Sequence, residues 1–275
     1  MMTENVYEVM EKNARLLKLD LSSDEFAFFV QEHGLSVQSV EDIAKVFSYL
    51  GKKKTETTIQ TLLRLSRLPL KTPRTFENFD FSVIKGKDTQ RLMALPTMSA
   101  IYAHQNIAFI GPAGTGKTHL AQAFGYACCQ RGMKTYFIKM SELRDKFIAA
   151  RRAGKEASVL NSLVRPSCLI IDEVGHCEFD KENTRLFFDL IDRRYNKEGN
   201  YNIVFTSNKN PVNWRANFNE DDALLCALDR IFDEALVFNL KGESFRGKKL
   251  ETFALQTSRV QASNDVPVKP SESLT

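Results

Sequence analysis

The chain predicts an α/β protein, a parallel sheet of short buried strands flanked by helices, with a small helical N-terminal domain in front. Three observations carry that prediction. Five short apolar runs, NIAFI (106–110), KTYFIKM (134–140), SCLIID (167–172), NIVFTS (202–207) and ALVFNL (235–240), alternate with longer helical patterns, which is the spacing of βαβ units. Between the first run and the helix after it lies GPAGTGKT (111–118), rich in glycine. Residues 5–50 instead repeat their apolar residues at helical spacing, as in EFAFFVQEHG and VEDIAKVFSYLG.

Composition sets the class. A chain of 275 residues, 43% apolar and 26% charged, has material for a sizeable core. The start, MMTENVYEVMEKN, is acidic rather than basic-then-apolar, so no secretory signal is read there. No apolar run approaches the roughly 18 residues of a membrane span. Cys128, Cys129, Cys168, Cys177 and Cys226 have no close metal-ligand spacing and are odd in number, which fits free thiols in a reducing compartment. The expectation is a cytoplasmic protein without a membrane partner.

In the N-terminal region, Gly34 and Gly51 are expected to stop helices, and TTIQTLLRLSRL to form a further helix ending before Pro69. The net charge of +4 is mild, but its distribution is uneven. Between Gly51 and Pro73 only Glu56 is acidic, against Lys52, Lys53, Lys54, Arg64, Arg67 and Lys71. Arg64, Arg67 and Lys71 are read at helical spacing. The patch is either a nucleic-acid contact or a solvated helix face. Residues 69–103, including PLKTPRTFENFDFS, read as a linker and lead-in whose aromatics pack on the next domain.

GPAGTGKT fills every fixed position of G-x-x-x-x-G-K-[ST], after a predicted strand and at the start of a predicted helix, which is the context that motif requires. Gly111, Gly114 and Gly116 allow the tight turn, and the amides of Gly111, Pro112, Ala113, Gly114, Thr115, Gly116, Lys117 and Thr118 form the phosphate cradle, except at Pro112, which has no N–H. Lys117 is expected at the β- and γ-phosphates and Thr118 on Mg²⁺. Asp172 ends the strand SCLIID where ligands of parallel sheets collect, and is the expected metal partner of Thr118. Glu173, next in line, is placed to orient or deprotonate the attacking water. Asn208, after NIVFTS, positions that water, senses the γ-phosphate, or satisfies a turn. A dinucleotide site would need G-x-G-x-x-G and a ribose-binding carboxylate after the second strand, whereas TYFIKM ends in Lys139 and Met140.

With these residues the chain resembles the AAA+ ATPases of the IstB/DnaC-like family, transposition helper ATPases and replicative helicase loaders. The likeness spans about residues 70–250: TFENFDFS, GPAGTGKTHLAQAFG, LIIDEVGHCEFDKENTRLFFDLIDRRY, TSNKNPVNW, ALDRI and KGESFR occur in the family's order. LIIDEVG followed by FFDLIDRRY, and the late KGESFR, resemble the insertion-sequence helper branch. The resemblance implies strand order 5-1-4-3-2 and an abbreviated or absent lid. It implies ATP and Mg²⁺ as cofactors, Arg230 as an arginine finger acting on a neighbour's nucleotide, and Arg246 as a sensor-2 arginine acting on its own. It further implies ATP-dependent self-association into an oligomer, with duplex DNA and a cognate transposase as partners. Arg151, Arg152 and Lys155 then become candidate phosphate-backbone contacts, a solvated helix end being the other reading.

The expected organisation is a helical domain at 1–68 for DNA or partner binding, the lead-in at 69–103, an AAA+ ATPase domain at 104–250 and a disordered tail at 251–275. Two other functions stay open at this point. A helicase loader would prefer single-stranded DNA. A non-catalytic scaffold would use ATP only for stability, against which Glu173 beside Asp172 argues.

Overall fold

Side-chain caps start the first three helices. Asn5 accepts the Tyr7 N–H at the head of α1 (Val6–Leu17). Ser22 and Glu25 form a reciprocal capping box on α2 (Ser23–Glu32), and Gly34 follows that helix with φ of 57°, as expected of a stop. Ser36 caps α3 (Val37–Leu65), which then runs unbroken for 29 residues. Gly51 lies inside it and stops nothing, and residues 57–65 of the expected separate helix TTIQTLLRLSRL are its last nine residues. The reason is packing: a Cβ at Gly51 would overlap the Asn13 side-chain oxygen, so the glycine serves the close approach of α1 to α3. Since α3 ends at Leu65, Arg67 (φ 62°) and Lys71 lie beyond it and do not share a helical face with Arg64.

The structure, a computed structural model, describes residues 5–242 except 85, 87 and 220. Arg246, any lid after Gly242 and the tail expected to be disordered therefore lie outside the described residues. Met10, Ala14, Phe26, Val40 and Ala44 form a first apolar core among α1, α2 and the front of α3. Residues 52–58 of α3 are exposed, and Thr55, Thr57, Thr58 and Thr61 each donate a hydroxyl hydrogen bond to the carbonyl four residues earlier. At its far end Leu63, with Leu68 just beyond, joins the core of the sheet.

The lead-in continues through α4 (Thr89–Met93) and α5 (Ser99–Tyr102) into β1 (Ile107–Ile110). Then follow α6 (Lys117–Gln130), β2 (Thr135–Lys139), α7 (Met140–Arg152), α8 (Glu156–Val164), β3 (Cys168–Val174), α9 (Lys181–Tyr195), β4 (Asn202–Ser207), α10 (Asp221–Phe232) and β5 (Leu236–Asn239). All five strands are parallel, in the order β2-β3-β4-β1-β5. Read from the other edge this is 5-1-4-3-2, as the resemblance implies. Strand alternation divides the core: Ile107, Phe109, Ile170 and Val204 meet α6 and the lead-in, while Ala108, Ile110, Leu169, Ile171 and Phe205 meet α7, α8, α9 and α10. Among the described residues no helix is long and apolar enough to cross a membrane.

The N-terminal ends of the strands are tied by Arg194, which is 1% exposed. Its guanidinium donates to the carbonyls of Leu163, Val164 and Pro166 (3.1, 3.1 and 2.9 Å) and of Ser167 and Asn202 (3.1 and 2.6 Å). Burial lowers its pKa to about 10, so it stays charged at neutral pH. Arg194→Met fills the space but leaves those carbonyls without their donor. The expected loss is on the order of 3 kcal/mol or more, read as a lower denaturant midpoint at unchanged slope.

Candidate nucleotide site

β1 delivers the chain into the loop 111–116, and α6 begins directly at Lys117. Gly111, Gly114 and Gly116 have φ of 149°, 81° and 90°, where a side chain is strained. Gly111 and Gly116 are also pressed by neighbours: a Cβ at Gly111 would overlap the Leu240 carbonyl oxygen, and one at Gly116 would lie 2.8 Å from the Phe79 ring. The Pro112 carbonyl accepts from the Thr115 hydroxyl at 2.9 Å and from the Lys117 ammonium at 2.5 Å. Ala113, Gly114, Gly116, Lys117 and Thr118 line a cleft of about 690 Å³, and the first turn of α6 points its unpaired amides there.

Across from the loop, β3 changes register. Ile171 pairs with Phe205 and Val174 with Ser207, so Asp172 and Glu173 share the space opposite Thr206. Such a bulge re-aims side chains, and Glu173 accordingly adopts φ of 62°. Asp172, 2% exposed, accepts hydroxyl hydrogen bonds from Thr118 at 2.8 Å and Thr206 at 2.5 Å on one oxygen, Oδ1. Thr206 in turn accepts the Glu173 N–H at 3.0 Å. Burial raises the Asp172 pKa, with the two hydroxyls opposing it.

Glu173 and Asn208 line the same cleft as Lys117. The Glu173 carboxylate is held 3.1 Å from the Lys139 ammonium at the end of β2, whose pKa that carboxylate raises. Asn208 Nδ2 lies 3.2 Å from His176 Nε2. Thr206, Lys139 and His176 were not among the expected site residues. Thr206 and Lys139 stand toward the ends of β4 and β2, and only the register brings them to the carboxylates.

The third wall is the lead-in: Pro69, Thr72, Arg74, Asn78, Phe79 and Asp80. His119 on α6 holds it, with Nε2 3.0 Å from the Thr75 carbonyl. Because a carbonyl only accepts, that nitrogen carries the proton. Burial, and secondarily the Arg74 charge, lower the His119 pKa against the pull of that hydrogen bond.

Other expected residues lie elsewhere. Arg230, on the last turn of α10, is absent from the cleft; it pairs with Asp192 at 3.3 Å and lies over the rings of Phe188 and Tyr195. Arg151 pairs with Asp180 at 2.9 Å, while Arg152 and Lys155 are exposed. Arg151 and Arg152 line a wider groove of about 1110 Å³ in which Arg185 and Arg193 alternate with Glu156, Asp180, Glu182 and Asp189, a mixed surface rather than a cationic track. Lys52, Lys53, Lys54, Arg64 and Lys71 are exposed. Arg67 is tied to Glu142 at 2.8 Å and lies over the Tyr136 ring.

The Thr118 hydroxyl and Asp172 carboxylate are hard oxygen donors in contact, and the carboxylate is buried, with the Lys139 charge acting on it. That donor set fits Mg²⁺. The raised pKa also fixes a sign. A carboxylate whose folded pKa exceeds its unfolded value penalises the fold at pH above both, where it is ionised in both states. Asp172→Asn removes this penalty and is expected to raise the melting temperature of the nucleotide-free protein by about 2 °C or more while abolishing Mg²⁺-dependent turnover. Calorimetry and a phosphate-release assay read the two effects.

Comparison with known proteins places the chain in a family. Residues 17–252 match the IstB-like ATP binding protein family. An ATP-binding protein of insertion sequence IS5376 from Geobacillus stearothermophilus is 39% identical over 70% of this chain and 75% of its own length. That of IS21 from Pseudomonas aeruginosa is 32% identical over 77% and 78%, and that of IS232 from Bacillus thuringiensis is 29% identical over 89% and 96%. Among solved structures, AMPPCP-bound DnaA from Aquifex aeolicus aligns with TM-score 0.52 at 21% identity, over 64% of this chain and 52% of that one. DnaI aligns with TM-score 0.51 at 16% identity, over 66% and 95%. At those identities the two structures speak for the fold alone. With a phosphate loop, a buried carboxylate bonded to Thr118 and a family match over most of its length, the chain belongs to the IstB-like ATP binding proteins.

Proposed function

We propose that the chain is an AAA+ ATPase that uses ATP to assemble on duplex DNA and assists a cognate transposase in target selection and strand transfer. Membership of the family makes it an ATP-binding ATPase. The observation that carries turnover is the convergence of Lys117, Thr118, Glu173 and Asn208 on one cleft, with Asp172 bonded to Thr118 behind it. The insertion-sequence origin of the relatives supports the transposition setting.

The residues divide the work. Lys117 and the loop amides bind the β- and γ-phosphates. Mg²⁺ held by Thr118 and Asp172 would neutralise phosphate charge. Glu173 orients the attacking water or takes its proton, and to do so must share its lone pairs with the ammonium of Lys139, 3.1 Å away. Asn208 offers an amide donor on the same side. Arg230 supplies its guanidinium to a neighbour's γ-phosphate, exchanging the Asp192 contact for that anion. Sites completed between subunits make hydrolysis depend on assembly. Lys52, Lys53, Lys54, Arg64 and Lys71, with Arg152 and Lys155, are the exposed cations for sequence-independent contact with DNA phosphates; Arg67 and Arg151 would first leave their ion pairs.

Glu173→Gln is expected to lower kcat about 100-fold or more while retaining ATP. This variant should bind long duplex cooperatively in Mg²⁺-ATP, with affinity falling steeply as salt rises. A preference for matched single strands would point to helicase loading, and binding indifferent to ATP would sink the proposal.

Arg230→Ala is expected to reduce turnover about 1,000-fold. Mixed with Lys117→Ala protein, itself inactive, it should recover part of the activity, because one variant keeps the phosphate site and the other the arginine. Equal activity of Arg230→Ala and wild type in a phosphate-release assay would remove that arginine from the mechanism.

A further inference from the structure

We propose that Arg74 is a nucleotide-binding residue that contacts the α-phosphate from the wall opposite the phosphate loop. The inference rests on the ATPase reading and adds a cation to it. Arg74 lines the same cleft as Lys117 and Thr118, is exposed, and has no hydrogen bond or ion pair among the described residues. The acids nearest in sequence are already engaged: Glu77 with Thr75, and Asp80 with the amide and hydroxyl of Ser82 at 3.0 and 2.5 Å. A guanidinium facing a phosphate site without a protein anion is available to the ligand.

Its backbone is fixed from both sides. Asn78 accepts the Thr75 N–H at 3.0 Å and donates to the Pro73 carbonyl at 2.8 Å, which brackets Arg74 between its two chain neighbours. The Thr75 carbonyl is bonded to His119 at 3.0 Å, and Phe79 packs on Gly116. Arg74 is therefore tethered to the first turn of α6. In a loop of this pattern the amides around that turn hold the α- and β-phosphates, while the lysine reaches toward β and γ. Glu173 and Asn208, which the ATPase reading assigns to the γ-phosphate, line the cleft together with Thr206, so a residue tethered beside His119 is assigned to the α end.

The α-phosphate is common to ATP and ADP and takes no part in bond cleavage. Arg74 thus binds ground and transition states equally, raising affinity without raising the rate of the chemical step. Nucleotide titration of the full chain with Mg²⁺-ATP and with ADP tests this. Arg74→Gln should weaken both by a similar factor, about 10- to 100-fold, and raise KM with kcat at saturation unchanged. Arg74→Lys should recover part of the loss, and both variants should melt with wild type when nucleotide-free. Wild-type affinity in Arg74→Gln, or a loss confined to ATP, overturns the assignment. Lys117→Ala separates the two levels: if it abolishes binding while Arg74→Gln does not, only the Arg74 inference falls, and if wild type binds neither nucleotide, the ATPase reading falls with it.

Discussion

One oxygen of one carboxylate holds the nucleotide site together. Asp172 Oδ1 accepts hydroxyl hydrogen bonds from Thr118 on α6 and Thr206 on β4, joining three elements distant in sequence. The Thr206 hydroxyl also receives the Glu173 amide, so the two neighbouring acids are positioned through a single side chain. This needs the register change in β3, because successive residues of a regular strand face opposite sides of the sheet. Burial raises the pKa of this carboxylate against both hydroxyls and the Lys139 charge, and its oxygens are hard donors of the kind Mg²⁺ takes.

The opposite ends of the strands carry the contrasting case. Arg194 is buried as deeply but donates to five carbonyls. Burial alone does not separate a functional charge from a structural one; the degree of compensation does. Arg194 closes the lower rim of the sheet, whereas Asp172 leaves the upper rim with unmet demand. The cleft sits at the second.

Much of this was legible in the sequence. The strands were readable because each is an uninterrupted apolar run, as double-sided burial in a parallel sheet requires. The phosphate loop was readable because its pattern and its strand–helix context agreed. Gly51 does not end a helix, because the residue type that ends helices also permits close helix packing, and only the position of Asn13 distinguishes the two. Thr206 and Lys139 were hidden because their roles come from cross-strand register: Lys139 is the ladder partner of Asp172, a relation no local spacing encodes. Arg193 and Arg194 are adjacent and chemically alike, yet one pairs with Asp189 at the surface and the other is buried. About 100° of helix rotation decides between them.

The uninterrupted α3 has a mechanical meaning. At 1.5 Å per residue its 29 residues form a strut of about 43 Å, anchored at one end in the small helical core and at the other beside α6 and β2. A flexible tether would let the two cores tumble separately and would transmit neither torque nor tilt. A helix transmits both, so the orientation of the small helical core is set by the seating of Leu63 beside α6 and β2.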